Sequence, residues 1–324
     1  MSGRLAFADV LAARKAIAGH VLRTPSVESP ALARRLGGPL ALKLELLQRS
    51  GCFKPRGIVN KVLSLGEDER ARGIVTVSGG NHGIAMAEIA RAMGLRARIV
   101  MPEAAPERSK ARIRAEGAEL VLVPDIGTAF ATAEAARAEG LTYVHAFDDP
   151  VIMAGHGTVG LEFIEDIPDL TDVIVSIGGG ALISGVATAI KGVKPEVRIW
   201  GVETEGADAM SRALAAGKPV EMQVTSIATT LGAPYVTERT LAHVRDLVEE
   251  VFVIPDRDAV TALLTLAEDA KLWAEPAAAC TLAAAHRVRE RVGAEAVIGL
   301  VICGGNISFD MVEGWVKRFA PDQA

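Results

Sequence analysis

The 324-residue chain is poor in the residues that several kinds of function demand. It has three cysteines, Cys52, Cys280 and Cys303, none in Cys-x-x-Cys spacing. They cannot all pair, so neither a disulfide framework nor a zinc site is indicated, and a reduced, cytoplasmic setting is expected. Aromatic residues are 4% of the chain, which leaves little to stack on bases, and a net charge of -5 with interspersed signs gives no basic face for phosphate backbones. No apolar stretch reaches the length of a membrane span. The opening segment, Met1 to Ala18, mixes Arg4, Asp9, Arg14 and Lys15 among apolar residues in a helical rhythm and lacks the apolar core of a signal peptide. A nucleic-acid binder or a membrane protein is therefore not expected.

Half of the residues are hydrophobic, and the length suffices for one large α/β unit or two sizeable lobes. Short apolar runs predict strands at Gly73–Val77, Ala97–Met101, Glu119–Val123, Asp172–Ile177, Arg198–Glu203, Val251–Ile254 and Ala296–Cys303. Between them, helical patterns run over Gly83–Met93, Pro106–Glu116, Thr128–Ala138, Ala181–Val193, Arg257–Ala270 and Ala277–Val292. Strands apolar along their whole length and separated by helices predict open parallel sheets with helices on both faces. No linker marks a boundary, but the units of residues 71–147 read as a small domain, with His145–Pro150 as the return point. Residues 1–70 and 148–324 would then form the large one.

In such sheets ligands bind where loops leave the carboxyl ends of strands, and distinctive segments fall there. Ser50-Gly51-Cys52-Phe53-Lys54-Pro55-Arg56-Gly57 places a lysine after an aromatic residue, with Arg49 and Arg56 close by. An ammonium desolvated beside other cations loses its proton and becomes a nucleophile able to form Schiff bases; the alternative is a solvated surface lysine. Ser78-Gly79-Gly80-Asn81-His82-Gly83 follows a strand and opens a helix, where free amides attract an anion; an ordinary capped glycine turn is the alternative. Gly178-Gly179-Gly180-Ala181-Leu182 repeats that placement, and glycine amides there can cradle a phosphate. It is no dinucleotide fingerprint, because Ile183 replaces the third glycine, and Glu203 lies too far on to be the ribose-binding acid. Cys303-Gly304-Gly305-Asn306 closes the last strand; Cys303 there is either functional or a buried structural thiol. His82, His145 and His156 lack short ligand spacing, which favours structural hydrogen bonding over metal ligation.

Taken in order, from about Leu22 to Asn306, these motifs resemble the threonine dehydratase, serine dehydratase and serine racemase family, fold-type II enzymes (tryptophan synthase β-like) that carry pyridoxal 5'-phosphate. The resemblance implies that Lys54 is the Schiff-base lysine, Phe53 packs on the cofactor ring and Asn81 bonds its hydroxyl. It implies that Gly178, Gly179, Gly180, Ala181 and Leu182 hold the phosphate, Cys303 faces the pyridine nitrogen and Glu275 lies near the ring. Ser78, Gly79, Gly80, Asn81 and His82 would hold the substrate carboxylate. A homodimer or homotetramer would be expected, with no regulatory domain after Asn306.

Departures narrow the expectation. Gly79 stands where serine racemase has a second acid, a serine, which argues against racemisation. Ala209 takes the place of a metal-binding Asp after Glu203 and Ala207, with Asp208 beside it. Ala181 replaces a fourth glycine, and its amide still serves if its φ is negative. Ile227-Ala228-Thr229-Thr230 replaces Ile-Ala-Asp-Gly near the substrate side chain. The expected activity is dehydration of an L-3-hydroxy amino acid, threonine or serine, with 3-hydroxyaspartate and phenylserine open beside them. An amino-acid racemase, an NAD-dependent oxidoreductase and a non-catalytic amino-acid sensor are the rival readings.

Overall fold

The computed structural model describes residues 4–319; the ends of the helical opening segment and of the proposed large domain, 1–3 and 320–324, lie outside the described residues. Among the described residues ten strands form two sheets. The larger contains β1 (Ser26–Glu28), β2 (Leu40–Lys43), β7 (Asp172–Ser176), β8 (Arg198–Thr204), β9 (Glu250–Ile254) and β10 (Ile298–Val301), in the order β1-β2-β10-β7-β8-β9. The smaller contains β3 (Ile74–Val77), β4 (Ala97–Pro102), β5 (Glu119–Val123) and β6 (Thr142–Tyr143), in the order β5-β4-β3-β6. Every pairing is parallel except β1 with β2. All the strands expected from the sequence pair in parallel, and the antiparallel edge is made by β1, which carries no signal in the sequence. The stretch that joins the two strands, residues 29–39, carries the Pro30–Leu36 helix and returns the chain beside β1 in the opposite direction.

Both faces of each sheet are covered. In the smaller sheet, alternate residues of β3 and β4 point to opposite sides: Ile74 and Ile99 join Met86 of the Asn81–Ala92 helix, while Val75 and Val100 join Ala129 and Ala133 of the Ile126–Ala138 helix. Phe163, Ile174, Val202 and Leu300 belong to the core of the larger sheet. This two-sided burial is why β2, β3, β7 and β10 are buried at every residue.

Most predicted elements are present within a residue or two at each end. The last strand is shorter than Ala296–Cys303, because Ile302 and Cys303 turn away to bond Lys43, Leu46 and Phe53. Strands β1, β2 and β6 carry no signal, being two to four residues long. The Pro150–Asp166 helix is masked in the sequence by Gly155, Gly157 and Gly160.

Candidate active site

The segment leading to Lys54 is held by the far end of the chain. Ser50 adopts a left-handed conformation (φ 58°), which costs a non-glycine residue about 1–3 kcal/mol. Its carbonyl accepts from Asn306 Nδ2 (2.8 Å) and Arg112 Nη2 (3.3 Å). The amide of Gly305 donates to Gly51 O and that of Phe53 to Cys303 O, each at 3.0 Å. Lys54 therefore emerges from a fixed turn at the start of the Lys54–Leu63 helix, where the helix dipole disfavours a cation.

The Lys54 amine donates to Ala146 O (3.2 Å) and lies 4.9 Å from the centre of the Phe53 ring. Burial brings its pKa down from 10.5 to about 8, against the opposing pull of Cys52, Cys303 and Glu275. The sequence suggests a part for Arg49 and Arg56 in this shift, and the structure corrects it. Arg56 is wholly buried, paired with Glu45 (2.8 Å) and Glu162 (2.7 Å). Desolvation is the cause.

The Ser78–His82 loop joins β3 to the Asn81–Ala92 helix. Asn81 Nδ2 donates to both Glu275 oxygens (2.9 and 3.1 Å), and its Oδ1 accepts from Asn306 Nδ2 (2.7 Å). Thr230 Oγ1 donates to Glu275 Oε1 at 3.0 Å. Burial pushes the Glu275 carboxyl up, while these hydrogen bonds pull it down. The sequence assigns no role to Asn306 or Arg112, because each acts through a partner far away in the chain, and Thr230, expected near the substrate side chain, bonds Glu275. The motif Gly304-Gly305-Asn306 is the one available signal.

The histidines divide. His145 Nδ1 accepts from the amides of Phe147 (3.2 Å) and Asp148 (2.9 Å), as structural hydrogen bonding requires. His82 is buried beside the Val144 backbone, which it meets as a hydrogen-bond partner, whereas His156 does not follow that expectation, having no hydrogen-bond partner at either ring nitrogen; burial holds both well below the usual histidine range. His156 instead packs edge-on against Phe53, ring centres 4.7 Å apart.

The Gly178–Gly180 loop connects β7 to the Ala181–Val193 helix. Gly180 has φ 92°, and a Cβ on Gly179 would fall 2.1 Å from the Phe147 ring. Ala181 lies inside the helix and has no positive φ, so its amide stays available. Cys303 Sγ is 3.4 Å from Ser176 Oγ, and burial pushes the thiol well up, leaving it neutral.

The Glu203 carboxylate accepts from the amides of Met210 and Ser211 (2.8 Å each) and from Ser211 Oγ (2.6 Å), capping the Ala209–Ala216 helix. Burial pushes it up to about 7. Asp208 pairs with Arg212 at 3.0 Å. Among the described residues no group of three or more His, Cys, Asp or Glu could hold a metal, and no helix is long and apolar enough to cross a membrane.

One cavity of about 580 Å³ gathers the predicted positions. Lys54, Phe53, the Ser78–His82 loop, Gly178 to Leu182, Glu275 and Cys303 all line it, as do Thr229 and Thr230.

Residues 17–304 match the family described as pyridoxal-phosphate dependent enzyme. The L-threonine ammonia-lyase of Thermotoga maritima is 36% identical over 313 residues, 96% of this chain and 78% of that protein. The serine racemase of Oryza sativa subsp. indica is 35% identical over 323 residues, 96% and 95% of the two chains. Maize serine racemase superposes with a TM-score of 0.91 at 31% identity, over 99% of each chain. The processed form of threonine deaminase isoform 2 from Solanum lycopersicum gives 0.89 at 29%, over 96% of this chain and 91% of that one. A match over most of the chain, relatives above 30% identity and the shared two-sheet architecture lead to one conclusion: the chain belongs to the fold-type II pyridoxal-phosphate-dependent enzymes, in the group that holds threonine ammonia-lyases and serine racemases.

Proposed function

We propose that the chain is an ammonia-lyase that converts an L-3-hydroxy amino acid, such as threonine or serine, to a 2-keto acid and ammonia. The observation that carries this reading is the Lys54 amine, brought by burial to a pKa of about 8 in the wall of a cavity that two helix-opening loops share. A second supporting fact is Gly79, which carries no side chain to return a proton from the opposite face of Cα.

The residues suit the family's cofactor. The Gly178–Gly180 loop is a cradle that a Cβ at Gly179 would fill, and amides at the helix start favour an anion. A neutral Cys303 beside Ser176 would face the pyridine nitrogen without the charge that holds a proton there. Lys54 would hold the cofactor through its amine, with Phe53 and Asn81 at its ring, Glu275 behind Asn81 and Gly178 to Leu182 at its phosphate. Pyridoxal phosphate, when bound, supplies the electron sink for charge developing at Cα.

The chain's own residues then act as follows. The Ser78–His82 loop binds the substrate carboxylate through the amides of its helix start. The neutral Lys54 amine takes the Cα proton, a contribution of ~10²–10⁴-fold for a positioned base. The Cα–H electron pair becomes the Cα–Cβ double bond, and the β-hydroxyl leaves with the proton that Lys54 took from Cα, so that water is lost. The released enamine becomes an imine, and water converts that to the keto acid and ammonia. The site would sit between a small domain of residues 71–147 and a large one of 1–70 and 148–324. Supporting this division, β3 to β6 all fall in the first segment.

The test is release of keto acid and ammonia by the holoenzyme from L-threonine, L-serine, threo-3-hydroxyaspartate and phenylserine. Lys54→Ala should abolish turnover and leave the unfolding profile of a folded protein; turnover that survives the substitution sinks the reading. Racemisation is the second reading, favoured by the rice enzyme's 35% identity, and D-serine from L-serine without keto acid would put it first.

A further inference from the structure

We infer that His145, which stands behind the cavity wall and not in it, is a positioning residue: its imidazole holds both the carbonyl that meets the Lys54 amine and the ring that bounds the glycine loop. Its task is to keep Lys54 reactive, whichever bond of the substrate then breaks.

Residues 145–148 lie between β6 and the Pro150–Asp166 helix. The Val144 amide still donates to Val75 O (2.9 Å), but among the described residues no bond between main-chain groups ties 145–148 beyond it. Side chains give this link its shape. His145 Nδ1 accepts from the amides of Phe147 (3.2 Å) and Asp148 (2.9 Å), which closes a turn around Ala146. The Ala146 carbonyl, inside that turn, accepts from Lys54 Nζ at 3.2 Å. The imidazole is clamped edge-on between the rings of Tyr143 and Phe147, with centres 5.7 and 4.6 Å away. The same Phe147 ring is the one that a Cβ on Gly179 would strike. Ala146 and Phe147 line the cavity that holds Lys54, whereas His145 lines a second one with Tyr143, Lys61 and Asp149.

Two N–H donors at Nδ1 require a lone pair there, so the ring carries its hydrogen on Nε2 and is neutral. Burial favours that form, with the Lys54 charge adding to it and Asp148 and Asp149 opposing. Both acids are engaged: Asp148 accepts from Thr237 Oγ1 (3.1 Å) and Arg239 Nε (2.9 Å), and Asp149 pairs with Lys61 (2.8 Å). His82, held neutral by burial, adds no charge beside it. Without the Nδ1 acceptor two amides of the turn lose their partner, and water must satisfy them. Water admitted beside Ala146 hydrates the Lys54 ammonium. Loss of the Ala146 bond alone would favour the free amine, but burial is the largest influence on Lys54, so hydration wins and the proton is held more firmly.

The experiment follows the uptake of pyridoxal phosphate by cofactor-free protein, by absorbance over a series of pH values, for the parent and two variants. His145→Asn keeps an acceptor where Nδ1 stands and should share the parent's midpoint near 8. His145→Leu fills the space without an acceptor. Its midpoint should move up by about one unit, which leaves roughly tenfold less free amine at pH 7. Circular dichroism shows whether each variant is folded. If His145→Leu is not, His145→Gln takes its place with the same upward shift expected, because its acceptor lies one bond farther from the main chain and misses the two amides. A folded variant without the acceptor whose midpoint stays or falls overturns the inference, whatever its melting temperature, since a merely structural histidine would change stability and leave the Lys54 midpoint alone. A midpoint moved as far by asparagine as by leucine overturns it too.

Discussion

At the scale of single residues, Lys54 is the group whose state can be titrated. Its free base is the form that reacts with an aldehyde, and burial lowers its pKa to about 8 from 10.5. Lowering the pKa of a base shifts the neutral fraction toward lower pH. Cofactor uptake by cofactor-free protein should therefore accelerate as pH rises through about 8 and level above that. Stopped-flow absorbance at a series of pH values measures this, and a rate still climbing toward the pKa of an ordinary lysine would contradict it. Gly79 is the second residue with a distinct outcome. A Cβ there meets only the Ala105 methyl, at 3.2 Å, so serine can be fitted with a small shift. Gly79→Ser should raise D-serine formation from L-serine by ~10²-fold, the lower end of what a positioned acid supplies; chiral chromatography that finds no D-serine would count against the facial argument. Lys54, Asn81 and the glycines are legible because each residue type has few reasons to stand where it does. Asn306 and Arg112 are not. Their task is to hold Ser50 in a left-handed turn, and nothing local in the sequence announces that partner.

At the scale of elements, the Pro150–Asp166 helix shows why a pattern can hide what it encodes. Glycine costs a helix about 1 kcal/mol relative to alanine, so Gly155, Gly157 and Gly160 argue against a helix when read alone. In the fold they are contact points. A Cβ on Gly155 would lie 2.3 Å from Arg56 O, in the helix that begins with Lys54, and one on Gly157 would lie 2.9 Å from Gly185 O. Gly155→Ala sets a propensity gain of about 1 kcal/mol against overpacking of backbone on backbone, which costs roughly 1–3 kcal/mol or more. With a contact this short overpacking wins, and denaturant unfolding should show net loss of stability with weaker cofactor binding. Gly314→Ala is the matched control: it lies exposed in the Phe309–Phe319 helix with nothing within 4 Å of its Cβ. It should gain about 0.4–1 kcal/mol. The opposite ranking of the two variants would undo the account. Strands β3, β4, β5, β7, β8 and β9 are readable because each is a β-rich run of its own. Strand β2 reads Leu-Ala-Leu-Lys, and only its neighbours β1 and β10 make it a strand.

At the scale of the whole molecule, the site is tied to the larger sheet through a buried charge network. Arg56 bonds Glu45, just after β2, and Glu162, in the Pro150–Asp166 helix; Lys43 of β2 reaches Glu162 at 2.8 Å. Arg56→Met would leave Glu45 and part of Glu162 unpaired in the interior. Breaking such a pair from one side costs about 3–5 kcal/mol, which equilibrium unfolding in urea would detect as a lowered midpoint with the slope kept; a loss well under about 1 kcal/mol would show that the carboxylates find other partners. The sheet order has a further consequence, for biosynthesis. Of the described strands β10 is the last to be made, yet it lies between β2 and β7, both made long before. Until it arrives, each of those strands presents a bare, adhesive edge. The turn that carries Lys54 also lacks the Cys303–Asn306 segment that fixes it. A chain halted before residue 298 would have both faults at once. It would be sticky and unable to set its lysine, so capture of the cofactor marks a polypeptide whose translation has run through β10.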